Sequence, residues 1–257
     1  MSSWSSHFRW VAPVLMFAAA ILAWQGIAST DWFDDLTLAS PTEVADSLWS
    51  DRSLLFDSLG TTITEVLVGL AISVALGALT AVAMHLWRPL HEAAYPLLVG
   101  SQAIPVVIVA PLFIIAFDYG LWPKVAIVAL VCFFPVTVSL MDGLRSVSAE
   151  QLKLMRSLGA SRLQTLWKVE LPSALPSLFS GLKIAATVSV IGAVFGEAAG
   201  AESGLGYLVL LDNHQLETPR AYAGVVLLAA LAVGLFLLTA LAERYATPWT
   251  REGDPSV

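Results

Sequence analysis

Long apolar runs separated by short polar stretches set the pattern of this chain. The runs lie near residues 11–28, 61–86, 95–117, 121–140, 178–196 and 221–242. Each approaches or exceeds the roughly 20 mainly apolar residues that a helix needs to cross a bilayer. The pattern predicts an all-α membrane protein of about six transmembrane helices, in one domain over residues 1–257. Three polar stretches interrupt it, at residues 29–58, 142–176 and 197–220.

The most structured of these stretches is residues 148–172. Ser148 with Gln151, and Ser161 with Gln164, each fit a Ser-x-x-Gln capping box, so each opens a short helix. Gly159 falls between the two, where a residue able to adopt positive φ turns the chain. Pro172 should push Leu171 out of helical geometry and stop the second helix. Leu152, Met155 and Leu158 share one face of the first helix, and Leu163, Leu166 and Val169 one face of the second. A basic loop folded in this way suggests a docking element for a partner.

Two further elements follow from the same pattern. Ser40-Pro41-Thr42 precedes Val44, Leu48, Leu55 and Phe56 set among acids, which predicts an amphipathic helix at the membrane surface, packed rather than ligand-binding. The third apolar run holds Gln102, Pro105 and Pro111, and the fourth holds Pro135. Interior prolines kink a helix, and such breaks at membrane depth are tolerated where they line a path or are covered by protein.

Composition agrees with a lipid environment: 57% of residues are hydrophobic and 13% charged. The placement of basic residues sets the topology. Arg9, Arg88, Arg145, Lys153, Arg156, Arg162, Lys168, Arg244 and Arg251 fall on one side; Arg52, Lys124 and Arg220 fall on the other. The positive-inside rule then makes both termini and the capped loop cytoplasmic. The net charge of −7 does not contradict this, because much of the acid lies in the first outer loop, at Asp31, Asp34, Asp35, Glu43, Asp46, Asp51 and Asp57. No nucleic-acid partner is implied. Arg9 and the following apolar run also fit a signal peptide, but the long run without an A-x-A site favours an uncleaved first span.

Polar residues inside the spans are the candidates for a translocation path: Gln102, with Pro105 at the break, Thr137, Thr187, Ser189 and Glu197. Glu65 and Glu197, near the outer ends of their spans, are expected to reach the aqueous interface. Gly69, Gly77, Gly181 and Gly192 read as sites of close helix packing. Enzyme chemistry finds little support. Cys132 is the single cysteine, His7, His85, His91 and His214 have no metal-ligand spacing, and there is no nucleophile elbow or Walker A loop. No metal or cofactor site is expected in this chain. The tail from Arg251 reads as a frayed end.

The capped segment resembles the EAA loop of ABC-importer permeases, E-A-A-x3-G-x9-I-x-L-P. Gly159 stands at its glycine, Val169 at its isoleucine and Leu171-Pro172 at its close, while Lys153 replaces the usual Glu. Ser40-Pro41-Thr42-Glu43-Val44, Gln102-x2-Pro105 with Pro111-Leu112-Phe113, and Gly196-Glu197 through Gly204-Leu205-Gly206 are similar to elements of the sulfonate, taurine and nitrate branch. Cys132 to Pro135, Asp142 to Leu144 and Ser180 to Lys183 resemble permeases for the thiamine pyrimidine precursor, of hydroxymethylpyrimidine type. The resemblance implies a type I ABC importer permease in a bacterial inner membrane. Two copies would form the pore, with two cytoplasmic ATPase subunits that hold ATP and Mg and an extracytoplasmic substrate-binding protein. It assigns ATPase coupling to Lys153, Met155, Arg156, Leu158, Gly159, Ala160, Ser161, Leu163, Leu166, Leu171 and Pro172. Permeases for sulfonates, taurine, nitrate or a riboflavin-like compound are the alternatives within the family. A membrane enzyme and a non-transporting anchor are the alternatives outside it.

Overall fold

The computed structural model describes residues 4–30 and 37–250. Asp31, Asp34, Asp35 and the tail from Arg251 lie outside the described residues. The chain is helical: α1 Trp4–Ala28, α2 Pro41–Ser50, α3 Arg52–Leu86, α4 Arg88–Ser101, α5 Val106–Phe117, α6 Leu121–Arg145, α7 Ala149–Ser157, α8 Arg162–Thr165, a π-helical turn Leu166–Glu170, α9 Leu171–Ala198, α10 Leu205–Gln215 and α11 Thr218–Ala246. Among the described residues four helices are long and apolar enough to cross a membrane: α3, α6, the run from α8 through α9, and α11. The α4–α5 pair makes a fifth if it is one bent span. In α1 the described apolar stretch, Val14–Ala28, is shorter.

Three expected boundaries are corrected. The third span is not one kinked helix: α4 and α5 meet at 104°, and the break lies at residues 102–105. Pro105 caps α5, while Pro111 sits inside it without ending it. Leu55 and Phe56 belong to the long helix α3, not to the amphipathic helix α2, which ends at Ser50. Pro172 does not end the second capped helix. Leu171 is helical, at φ −63° and ψ −48°, and the chain runs on into α9. The physical reason is the π turn. The Leu171 N–H bonds to the Leu166 carbonyl, five residues back, and the wider turn relieves the clash a proline ring makes with the carbonyl four residues before it.

The core is built by α6 packed between α3 and α9, at glycines that let the backbones close in. A Cβ at Gly69 would fall 2.5 Å from the Val128 Cβ, and one at Gly181 2.6 Å from the Pro135 carbonyl oxygen. Gly77 and Gly192 likewise abut Val136 and Val128, as the sequence led us to expect. Helix α2 covers one end. Ser40 and Glu43 form a reciprocal capping box at its start, and Val44 packs with Leu55, Leu205, Leu208 and Ala223.

Candidate functional site

The capped segment forms as two short helices at one end of the bundle. The Ser148 hydroxyl accepts from the Gln151 N–H at 3.3 Å and starts α7. At Ser161 both bonds of the box form: the Gln164 N–H donates to Ser161 Oγ at 3.3 Å, and the Ser161 N–H to Gln164 Oε1 at 2.8 Å. Between them Gly159 takes φ +74°, and the Ala160 N–H reaches back to the Met155 carbonyl at 3.0 Å. Nothing lies within 4 Å of a Cβ built at Gly159, so glycine is needed there for torsion alone.

This segment leaves four of its large apolar residues uncovered. Leu158 is 72% exposed, Leu163 59% and Trp167 69%, and Leu154 is exposed beside them. Lys153, Arg156 and Ser161 are exposed, while Met155 and Ala160 are partly buried. Leu166 requires a correction: at 2% exposure it is core, packed with Met84, Leu140, Met141, Leu144 and Ala174. Leu163 pairs with Trp167 on the outward side, four residues apart, and Leu166 pairs with Glu170 on the inward side. Leu163 and Leu166 therefore do not share a face, and Leu154 and Trp167 join Leu163 on the exposed side. Leu171 and Pro172 are partly buried at the start of α9.

A latch ties this segment to the end of α3. Arg162 Nη2 donates to the His85 carbonyl at 3.0 Å, and His85 Nε2 lies 3.1 Å from Glu170 Oε2. These contacts join α8 and the π turn to the end of α3.

The candidate path residues do not line one channel in the single chain. Gln102 and Pro105 are exposed at the α4–α5 break, and Thr187 is exposed on α9. Thr137 and Ser189 are buried and satisfied within their own helices, donating to the Phe133 and Ala186 carbonyls at 2.7 Å each. A different set meets around a cavity of about 420 Å3 between α3, α5 and α6: Ile72, Ser73, Phe113, Phe117, Trp122 and Phe133. The Phe113 and Phe117 rings stack at 5.9 Å. Ser73 Oγ is buried there without a hydrogen-bond partner among the described residues. A lone serine in the second run, with aromatics four residues apart in the third, was the available signal.

Glu65 and Glu197 do not reach water; both are fully buried. Glu65 pairs with Lys124. The Glu197 carboxylate accepts from the Thr62 hydroxyl at 2.6 Å, from the Gly206 N–H, and from the Tyr207 N–H at 3.2 Å. Thr62 in turn accepts from the Leu205 N–H at 2.9 Å. Glu197 is thus a remote cap on α10, where a carboxylate satisfies the open N–H groups of a helix start. A Cβ at Gly204 or Gly206 would run into that carboxylate, which accounts for the glycines of this motif. Arg220 closes the same end, forking onto Asp212 at 2.7–3.0 Å.

Known proteins share both the sequence and the fold. The sequence profile of the family described as binding-protein-dependent transport system inner membrane component matches residues 73–252. The formylaminopyrimidine transport permease protein ThiX of Halalkalibacterium halodurans is 35% identical, over 95% of this chain and 98% of its own length. The riboflavin transport system permease RibX of Chloroflexus aurantiacus is 33% identical over 95% and 92%. The taurine transport system permease TauC of Escherichia coli is 30% identical over 91% and 88%. An inward-facing structure of the MetNI methionine ABC transporter superposes with a TM-score of 0.61 at 20% identity, over 79% of this chain and 98% of that one, and so shares the fold. With this helical bundle, its capped segment and these relatives, the chain belongs to the binding-protein-dependent inner-membrane components, the permeases of ABC importers.

Proposed function

We propose that this permease forms the translocation path of an ATP-driven importer and is coupled to a separate cytoplasmic ATPase through α7 and α8. The observation that carries this reading is the exposed apolar set Leu154, Leu158, Leu163 and Trp167 on two self-capped helices. Such a set on a basic, polar end of a membrane protein calls for a protein cover. The basic residues around it support a cytoplasmic position for that end. Two copies of the chain form the pore, each engaging one ATPase that supplies ATP and Mg, and an extracytoplasmic binding protein delivers solute at the α10 end. The Arg162–His85–Glu170 latch then carries motion of the docked helices into α3 and α9.

For the solute, we favour a thiamine pyrimidine precursor. Support comes from the permease of that class among the relatives, and from the aromatic lining of the cavity, Phe113, Phe117, Trp122 and Phe133. Aromatic faces suit a flat heterocycle better than a compact anion. Taurine, sulfonate and riboflavin-like solutes are the alternatives within the family. The test has two parts. Leu163→Asp should abolish co-purification with the cognate ABC ATPase while the permease still reaches the membrane; unchanged association refutes the coupling surface. In vesicles with the binding protein, labelled hydroxymethylpyrimidine should be taken up and Phe113→Ala should slow it at least tenfold. Uptake of taurine instead refutes the solute.

A further inference from the structure

Beside the latch, a cleft of about 610 Å3 opens between the ends of α3, α4, α6 and α8. Its lining includes His85, Arg88, His91, Glu92, Arg145 and Arg162. The charges in it do not balance. Glu92 is engaged by Arg88 at 2.9 Å, and Glu170, behind His85, is engaged by that ring. Arg145 has no hydrogen-bond or ion-pair partner among the described residues. Arg162 spends one guanidinium nitrogen on the His85 carbonyl and meets no carboxylate. His91 stacks on Tyr95 at 5.1 Å, and its Nε2 is buried with no partner.

We propose that this cleft is a binding site for a phosphate-bearing anion, held by Arg145 and Arg162. Planar guanidinium forks match the oxygens of a phosphate, and two of them face the cleft without a carboxylate to neutralise them. The place fits as well. Arg88 opens α4, Arg145 ends α6 and His85 lies at the end of α3, all at the margin of long apolar helices. That is the level at which the headgroup of an anionic phospholipid meets basic side chains. Free phosphate offers the same chemistry from solution. Because Arg162 belongs to α8 and to the latch, an anion bridging it to Arg145 would tie the coupling helices to α6. Occupancy would therefore stiffen the segment that meets the ATPase.

The experiment uses the full-length permease, delipidated in a neutral detergent. Phosphatidylglycerol, phosphatidylcholine and inorganic phosphate are titrated separately, with retained lipid read by native mass spectrometry and unfolding temperature by thermal melt. Phosphatidylglycerol should be retained and should raise the melting temperature, and Arg145→Gln should weaken its affinity at least tenfold. Arg145 is exposed and unpartnered, so that variant should melt like the wild type without lipid. Arg52→Gln, an exposed cation at the opposite end, should bind like the wild type. A response to phosphatidylglycerol alone identifies the headgroup as the source, and a response to phosphate at low concentration identifies the free anion; both support the site. An equal response to phosphatidylcholine, or no loss with Arg145→Gln, overturns it. So does silence toward all three ligands, including the case where Arg145→Gln weakens only ATPase association, which would assign the cleft to an acidic surface of that protein.

Discussion

Both ends of this bundle hold short capped helices, and they complete them in opposite ways. At the α10 end the cap comes from other helices: Thr62 on α3 reaches Leu205, and Glu197 at the end of α9 reaches Gly206 and Tyr207, with both capping side chains buried. At the α7–α8 end each helix caps itself, from Ser148 and Ser161, within three residues and in contact with solvent. The first arrangement binds α10 to the core and leaves nothing for a partner to finish. The second fixes the shape of two helices while leaving Leu154, Leu158, Leu163 and Trp167 exposed. A locally determined shape with an uncovered apolar face is what a docking element needs. It holds its form before the partner arrives, and it gains most of its burial from the partner.

The largest expected effect tests the buried end. Glu197→Ala leaves two helix-start N–H groups and a threonine hydroxyl without their carboxylate, which should lower stability by about 3–5 kcal/mol. A thermal melt in detergent should show a large drop and poor membrane yield. A normal melt with lost uptake would instead return Glu197 to the translocation path and break the contrast.

The next compares two leucines three residues apart. Leu166→Ala empties a core site and should cost about 2–5 kcal/mol of stability. Leu163→Ala, on the exposed side, should stay within about 0.5 kcal/mol in the free permease. If both melt alike, the division of this helix into an inward and an outward side is wrong.

A smaller effect is expected at the turn. Gly159→Val forces a β-branched residue to φ +74° with no neighbour to clash with, at a cost of about 1–2 kcal/mol. The bundle should still fold, while the angle between α7 and α8 shifts and ATPase affinity falls. Gly159→Asn, which tolerates that conformation, should restore most of it. Equal loss in both variants would mean the turn matters for something other than its torsion.

The smallest effects concern exposed charge at either end. Lys153→Ala should change ATPase affinity by only about 0–1 kcal/mol, since a solvated rim charge contributes little. A strong, salt-dependent loss would show that Lys153 meets a buried acid on the partner. At the other end, hydrogen bonds from the Ser40 N–H and hydroxyl hold the Glu43 carboxyl below its ordinary 4.5. Its support of α2 is complete above that value and lost as pH falls through the lower folded value. Because Glu43 is exposed, a melt from pH 7 to pH 3 should differ between wild type and Glu43→Gln only slightly, and only by the loss of this increment in the wild type as the pH drops.

The sequence alone determined what depends on near neighbours or on bulk transfer to lipid. Long apolar runs announce membrane helices, Ser148, Ser161 and Gly159 place the capped pair, and the spacing of Gly159 from Leu171-Pro172 names the family. These signals act within three or four residues, or average over twenty, so they survive without any knowledge of neighbours. Tertiary structure decided the rest. It turned Leu166 inward and Trp167 outward, placed Pro172 in the first turn of α9 after a π turn instead of at a helix stop, and folded the third span at 104°. It also buried Glu65 against Lys124 and gave Glu197 to the start of α10. The reason is physical. A carboxylate in an apolar run has two stable fates, water or a set of donors, and which one it meets depends on the helices that packing brings beside it, as Lys124 meets Glu65 and Thr62 meets Glu197.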